Sequence, residues 1–185
     1  MRFDPEQFIS DCRSALDGDR PSRHVGELVA RAVSEPGAIA DALGRPDRSG
    51  LHVLVRSTDL TVLNVVWAPH MTIMPHDHRM WAVIGIYSGR EDNIFWRRVP
   101  QAAGGRVEAA SARSLCEKDS VVLGAETIHS VTNPIPRYSC ALHVYGGDFF
   151  AAERSEWDPE SLLEQRYDIE RARRLFDEAN RSALP

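Results

Sequence analysis

Cysteine is scarce in this chain, and the three cysteines have no paired spacing. Cys12, Cys116 and Cys140 form neither a CxxC pair nor a zinc-knuckle pattern. An odd, sparse set is typical of a reducing compartment. No apolar run approaches the roughly 18 residues of a membrane span, and the first residues lack the apolar core of a signal peptide. We therefore expect a cytoplasmic protein with no membrane partner.

Lysine is almost absent, since Lys118 is the only one. The other basic residues are arginines, and they are scattered apart from short runs at 97–98 and 171–174. With a net charge of −5, the chain has no basic stretch of the kind that binds phosphate backbones. The composition predicts no nucleic-acid partner, and we interpret the short arginine runs as solvated faces.

The length and composition predict one soluble domain. The chain has 185 residues, 43% hydrophobic and 26% charged, which is enough to bury a sizeable core. Helix-start signals predict a helical region over residues 1–45 and a C-terminal helix over 157–182. The predicted starts are Asp4 with Pro5, Ser22, Pro36, and Asp158 with Pro159.

Short β-rich runs punctuated by Gly, Pro, Asp and Asn occupy residues 50–150. The predicted strands are 51–56, 61–67, 80–88, 93–98, 106–110, 120–123, 129–132 and 138–145. Many short strands at this spacing favour an antiparallel sandwich or barrel. No strong helical period interrupts them, which disfavours a parallel α/β sheet.

Three histidines give the strongest indication of function. His76 and His78 are two residues apart, and on a strand such residues project from the same face. His129, on another predicted strand, would complete a set of three nitrogen ligands. Imidazole suits iron, zinc, copper and nickel, whereas carboxylate and carbonyl oxygens favour magnesium and calcium. The sequence therefore predicts a transition-metal site.

A second pair, His143 and Tyr145, shares one face of the last predicted strand. From the residues alone, two interpretations stay open. The pair could act beside the metal, with His143 orienting a phenol that hydrogen-bonds to substrate or oxygen, or it could be a packed pair on a buried strand.

The order of these motifs resembles the cupin superfamily. HxH at 76–78, followed by His129 and Asn133, is similar to the two cupin motifs. The resemblance implies a mainly β fold, the double-stranded β-helix or jelly roll, here with N-terminal helices and a C-terminal helix. The first cupin motif usually carries a glutamate four or five residues after the HxH pair, where this chain has Ala82 and Val83.

Loss of that acid, together with His143-Val144-Tyr145, resembles the thiol dioxygenases. The likeness is to cysteine dioxygenase and, more closely, to the bacterial mercaptopropionate-dioxygenase-like branch. It is carried by residues 67–96 and 124–147, about half of the chain. The family's outer relay is Ser-x-His-x-Tyr, and Ala141 stands at the serine position. Val83 lies near the cysteine that is cross-linked in the animal enzymes, so no cross-link is expected.

The resemblance implies an oxidoreductase, a non-haem iron dioxygenase. His76, His78 and His129 would hold Fe(II), and His143 and Tyr145 would be the catalytic pair. Three neutral imidazoles leave Fe(II) its full +2 charge and up to three free positions, which favours an anionic, chelating thiol together with O2. The product would be a sulfinate.

The substrate-binding residues are less defined. The family binds the substrate carboxylate through an arginine or glutamine on an early strand, and the strand 51–56 offers His52 and Arg56. Arg79 could pair bidentately with a carboxylate, and Trp81 could line the pocket. Glu91 resembles the glutamate of a Gly-x-Glu turn in this branch, but it lies too far along to replace the missing motif acid.

Other functions remain open at this stage. A three-histidine cupin could cleave a carbon–carbon bond in a non-thiol substrate such as a diketone. A non-catalytic cupin could bind a metal or a small molecule, and zinc could replace iron, since three histidines with an open position suit zinc hydrolysis. We expect a monomer or a small homo-oligomer.

Overall fold

The computed structural model describes residues 2–182. Its helices lie at the two ends of the chain: α1 (Pro5–Leu16), α2 (Pro21–Val33), α3 (Pro36–Leu43) and α4 (Ile169–Ser182). Asp4 caps α1 as predicted, because its side chain accepts hydrogen bonds from the backbone N–H groups of Glu6 and Gln7. Within residues 2–182, no helix combines the length and the apolar character needed to cross a membrane.

The region between the helices forms short antiparallel strands. They are β1 (Gly50–Arg56), β2 (Thr61–Trp67), β3 (Thr72–His76), β4 (Ala82–Ser88), β5 (Arg90–Arg98), β6 (Val107–Cys116), β7 (Ser120–Leu123), β8 (Ile128–Thr132), β9 (Ser139–Tyr145), β10 (Ser155–Trp157) and β11 (Glu164–Arg166). The eight predicted strands are all present, but β5 begins three residues earlier than predicted and β6 ends six residues later. The prediction missed β3, β10 and β11.

These strands form two sheets. One has the order β1-β2-β9-β4-β7, and the other has the order β11-β10-β3-β8-β5-β6. Each sheet contains four strands whose neighbours are distant in sequence, in the orders β2-β9-β4-β7 and β3-β8-β5-β6. This is the arrangement of an eight-stranded jelly roll. The fold is therefore mainly β, a double-stranded β-helix or jelly roll with helices at both ends, as predicted.

Strands β2 and β9 are buried on both faces. On one face Val62, Leu142 and Val144 pack with residues of the N-terminal helices, among them Val29. A Cβ placed on Gly85 would lie 2.4 Å from Cγ1 of Val29, so a glycine lets α2 approach the sheet. The other face carries Leu63, Val65 and Tyr145 into the space between the sheets, and the site described below lies there.

Two predicted helix starts are wrong. Helix α2 begins at Pro21, one residue before Ser22, and the residue before it, Arg20, makes no side-chain capping bond. The C-terminal helix begins at Ile169 and not near residue 157. Asp158 does accept bonds from the N–H groups of Glu160 and Ser161, but it closes a turn between β10 and β11. Pairing of β10 with β3 overrides the local helix signal.

Candidate metal centre

His76 and His129 are brought together by strand pairing. His76 is the last residue of β3, and it lies directly opposite His129 on β8. Their ring centroids are 4.7 Å apart. In an antiparallel pair, opposite side chains on the same face are close neighbours, so the register alone places these two imidazoles side by side.

His78 does not lie on the strand, contrary to the prediction. The chain leaves β3 after His76, where the N–H of Asp77 donates to the carbonyl of Ser155, and Arg79 has a φ of 55°. The His78 ring still returns to the cluster, with its centroid 5.0 Å from those of His76 and His129. The two histidines of the HxH motif are therefore brought together by the end of a strand and the turn that follows it, and not by one continuous strand.

Hydrogen bonds fix the direction in which two of the histidines point. Nδ1 of His76 lies 3.0 Å from the carbonyl oxygen of Met74, and Nδ1 of His129 lies 2.7 Å from Oδ1 of Asn93. Each oxygen accepts, so each Nδ1 carries the proton and each Nε2 is left with a lone pair. This is the way in which metal-binding histidines are usually held.

The three side chains fit a transition metal. One nitrogen from each lies within 4.8 Å of the others, while three nitrogens that share one ion at about 2.1 Å, in a tetrahedral or facial octahedral set, are about 3.0–3.4 Å apart. A small inward movement is therefore enough to close the set. Nε2 of His78 lies 3.5 Å from Nε2 of His129, and a cation between these two nitrogens would give both a partner.

Burial keeps the cluster neutral, which is the form that binds metals. It lowers the pKa of His76 to about 3, and the positive charge of Arg154 acts in the same direction. Burial and the neighbouring histidines also hold the pKa values of His78 and His129 well below the ordinary value. Across the described part of the chain, no carboxylate belongs to this group. It is therefore a set of three neutral imidazoles.

His143 and Tyr145 face the same space from β9. Nδ1 of His143 lies 2.9 Å from the phenol oxygen of Tyr145, and both side chains are buried. The Tyr145 ring centroid is 5.1 Å from that of His78. Burial raises the pKa of the Tyr145 phenol, so the phenol keeps its proton. The pair therefore lies beside the three histidines.

A cavity of about 20 Å³ separates these groups, room for about one water molecule. Apart from the three histidines, His143 and Tyr145, its walls are mainly apolar and aromatic. They include Trp67, Phe149, Tyr167 and Phe176. Three of these four come from the segment after β9, so the C-terminal part of the chain closes the open side of the jelly roll.

Arg154 is a candidate site residue that the sequence prediction missed. It is only 5% exposed, and its guanidinium lies against Phe149 and Tyr167, two of the cavity walls. Nη1 donates to the carbonyl of Asp77, but Nη2 is buried without a hydrogen-bond partner in the part of the chain that the structure covers. Nothing local in the sequence marks this arginine, because its position depends on β10.

The predicted substrate-binding residues lie elsewhere. His52 and Arg56 are exposed on β1, and Arg56 pairs with Asp148 at 2.9 Å. Arg79 is 40% exposed and pairs with Asp77, while Trp81 packs towards the N-terminal helices. None of the four lines the cavity, so the structure gives no support to direct substrate contact by them.

Glu91 is fully buried at the back of the site and is not part of the histidine cluster. Its Oε2 accepts a hydrogen bond from the indole N–H of Trp67 at 2.9 Å, and its Oε1 accepts one from the amide of Asn93 at 3.1 Å. Oε2 also lies 3.5 Å from Nε2 of His143. The Glu91 carboxyl thus lies between Asn93, which contacts His129, and His143, which contacts Tyr145.

Comparison with known proteins gives distant likenesses only. No protein-family model matches the chain. A cupin superfamily protein from Desulfitobacterium hafniense is 13% identical, with 57% of this chain and 83% of that chain covered and a TM-score of 0.44. A protein with a double-stranded β-helix domain from Klebsiella pneumoniae is 16% identical, with coverage of 63% and 87% and a TM-score of 0.47.

Oxalate decarboxylase from Bacillus subtilis is 18% identical, with 52% of this chain and 23% of that chain covered and a TM-score of 0.40. Because all of these scores are low, the assignment of the fold depends on the strand order and not on these neighbours. The chain is a jelly roll with a buried three-histidine cluster that can hold a metal ion.

Proposed function

We propose that this protein is an Fe(II)-dependent thiol dioxygenase. It uses O2 to oxidise a small mercapto acid, of the cysteine or 3-mercaptopropionate type, to its sulfinate. One observation carries the proposal: three neutral imidazoles without a carboxylate share a buried cavity with the hydrogen-bonded His143–Tyr145 pair. This combination is the one that the sequence resemblance implies.

The ligand set suits the reaction. Iron bound by three neutral imidazoles would keep its full +2 charge and would supply open positions for an anionic thiolate and for O2. Both atoms of O2 pass to the sulfur, which loses four electrons as O2 gains four, so no separate reductant is needed. The thiol proton is released, and the site must accept it.

The His143–Tyr145 pair is the group that can handle this proton. Both side chains line the cavity, and the phenol oxygen is bonded to Nδ1 of His143 at 2.9 Å. Its position next to His78 puts it within reach of a thiol held at the three histidines. His143 fixes the phenol in place, so its orientation does not depend on the substrate.

Arg154 is suited to the carboxylate end of the substrate. A guanidinium that is buried with a free N–H forms strong, charge-assisted hydrogen bonds to a carboxylate. Its guanidinium packs on Phe149 and Tyr167, which line the cavity together with the three histidines, so a movement of these rings would open a path from the cluster to Arg154. A mercapto acid could then place its sulfur at the histidines and its carboxylate towards Arg154.

The cavity size supports a small substrate. A space of about 20 Å³ is smaller than any mercapto acid, so the aromatic walls must move when substrate binds. A three-carbon mercapto acid requires less displacement than a larger substrate such as a β-diketone. Closed again over the ligand, the same walls would exclude water from the reacting atoms.

Oxygen consumption by the iron-reconstituted protein tests the proposal. The panel is cysteine, 3-mercaptopropionate, cysteamine and a β-diketone, with His129→Ala as the inactive control and His52→Ala as the matched control for an exposed histidine. We expect uptake with one of the mercapto acids, matched by sulfinate. Uptake with the diketone alone would favour carbon–carbon cleavage, and no uptake despite full iron loading would point to a binding protein.

A further inference from the structure

A continuous line of buried polar contacts joins the three-histidine cluster to the His143–Tyr145 pair. It runs from Nδ1 of His129 to the amide of Asn93, then to the carboxyl of Glu91, and from there to Nε2 of His143 and the phenol of Tyr145. All five side chains are buried. Glu91 is the central member, and the proposed function assigns it no role.

Glu91 determines which way the Asn93 amide points. Oε1 of Glu91 only accepts, so it requires the NH2 end of Asn93, at 3.1 Å. The amide oxygen of Asn93 is thereby turned towards His129, at 2.7 Å from Nδ1. His129 must then carry its proton on Nδ1, which leaves Nε2 as the ligand atom. A reversed amide would present N–H to His129 and move the imidazole proton to Nε2.

The other oxygen of Glu91 acts on His143. Oε2 already accepts the Trp67 indole N–H at 2.9 Å, and Nε2 of His143 lies 3.5 Å away. That nitrogen has no hydrogen bond to any group within residues 2–182, so the carboxylate is the charged group it faces. A proton on Nε2 is favourable there, whereas a lone pair would face a second lone pair.

We propose that Glu91 is a positioning residue that sets the tautomers of both His129 and His143. With His143 protonated on Nε2, its Nδ1 accepts the O–H of Tyr145. The phenol oxygen then offers lone pairs, and not a proton, to the cavity. Tyr145 therefore receives the thiol proton and passes its own proton to Nδ1 of His143. The other ring nitrogen of His143, Nε2, faces the carboxylate of Glu91.

Glu91 gives His143 a polar neighbour at the point where the resemblance implies a serine. The outer relay of the related enzymes has a serine at the position of Ala141, which has no hydroxyl. Here a carboxyl from β5 reaches the histidine from the facing sheet. Only a carboxylate can accept from Trp67 and Asn93 at once and still present an acceptor to His143.

The tautomers can be measured directly by NMR of the metal-free protein labelled with 15N-histidine. The signals of His129 and His143 are assigned from single-residue variants. We expect His129 to be protonated on Nδ1 and His143 on Nε2. The opposite tautomer at either residue in the wild-type protein overturns the inference, and this result does not depend on any Glu91 variant.

Glu91→Gln provides the second arm, with Glu108→Gln as the control, because Glu108 is an exposed partner of Arg97. Glutamine has one acceptor and one donor end, so either Asn93 or His143 meets an N–H group. One of the two tautomers must then reverse. Unchanged tautomers in a folded Glu91→Gln protein would show that Glu91 has only a structural role.

The Zn²⁺ affinity of Glu91→Gln shows which of the two histidines, His129 or His143, has changed its tautomer. Reversal at His129 would weaken Zn²⁺ binding by about 10- to 100-fold, whereas reversal at His143 would leave it unchanged. The role of the proton path in catalysis rests on the proposed function. The tautomers and the Zn²⁺ affinity, however, are both measured without turnover. A protein inactive on every thiol could still show the expected tautomers, and an active enzyme could show the opposite ones.

Discussion

The guanidinium carbon of Arg154 lies 3.6 Å from the centroid of the Tyr167 ring. It also lies 4.2 Å from the centroid of the Phe149 ring. Two aromatic rings that line the cavity beside the three histidines thus pack against one arginine, and one of its nitrogens has no hydrogen-bond partner anywhere in residues 2–182. A buried cation held in this way is a ready site for a carboxylate.

Arg154→Met should separate substrates that carry a carboxylate from one that does not. Hydrogen bonds to charged groups are worth about 1.5–3 kcal/mol, so kcat/KM for the mercapto acid should fall about ten- to 150-fold. Any activity with cysteamine should change little. Arg56→Met, which removes an exposed ion pair with Asp148, is the control. Equal loss with both thiols would mean that Arg154 acts on the fold or the metal.

Replacing a histidine of the cluster should abolish stable metal binding. His129→Ala removes one of three ligands and leaves Asn93 without its partner, so iron content should drop from one per chain to near zero. His52→Ala, at an exposed histidine on β1, should keep full iron content. Metal analysis after gel filtration makes the comparison, and iron retained by His129→Ala would disprove the ligand assignment.

Tyr145→Phe should reduce turnover while the metal stays bound. The phenol is not a ligand, but its loss removes the proton acceptor, a role worth about 10²-fold or more. It also leaves Nδ1 of His143 buried without a partner, at a cost of about 1–3 kcal/mol in the free energy of unfolding. Steady-state kinetics, iron content and thermal melting together check this. Normal turnover would remove Tyr145 from the reaction.

The metal-free protein should lose stability as the pH falls below about 6.5. Unfolded histidine takes up a proton near that pH, whereas burial lowers the pKa of folded His76 to about 3 and keeps those of His78 and His129 well below the ordinary value. The unfolded state then binds more protons, so stability falls, by up to about 1.4 kcal/mol per pH unit for each histidine.

For the three histidines together, the limiting slope is about 4 kcal/mol per pH unit. Their contribution is fully present above pH 6.5 and is lost as the pH falls towards the folded values. Urea denaturation of the apoprotein at several pH values measures the slope. A free energy of unfolding that stays flat between pH 7 and pH 5 would mean that the histidines are protonated, or exposed, in the folded protein.

Features encoded by neighbouring residues could be predicted from the sequence. The eight strands followed from alternating runs and turn residues, and the three histidines followed from motif spacing. Asp4 with Pro5 marked a helix start correctly, because capping is local. Asp158 with Pro159 carried the same signal, yet it forms a turn, because the strand pairing of Glu156 with His76 outweighs the local preference.

The parts of the site that depend on register could not be predicted. Arg154 packs behind Phe149 and Tyr167, two walls of the cavity, only because β10 pairs with β3. Glu91 reaches His143 only because two facing sheets enclose both. Neither relationship leaves a pattern in the chain. The expected carboxylate-binding residues on β1, His52 and Arg56, are exposed although Leu51 of the same strand lines the cavity, because the face that a strand buries follows from its neighbours.

Isotope labelling of the product tests the central claim most directly. The iron-loaded protein is supplied with 18O2 and the mercapto acid that supports the highest oxygen uptake, and the product is analysed by mass spectrometry. Dioxygenation of sulfur predicts a sulfinate in which both oxygen atoms derive from 18O2. A disulfide, or a sulfinate with oxygen from water, would show that the three-histidine site does not carry out this reaction.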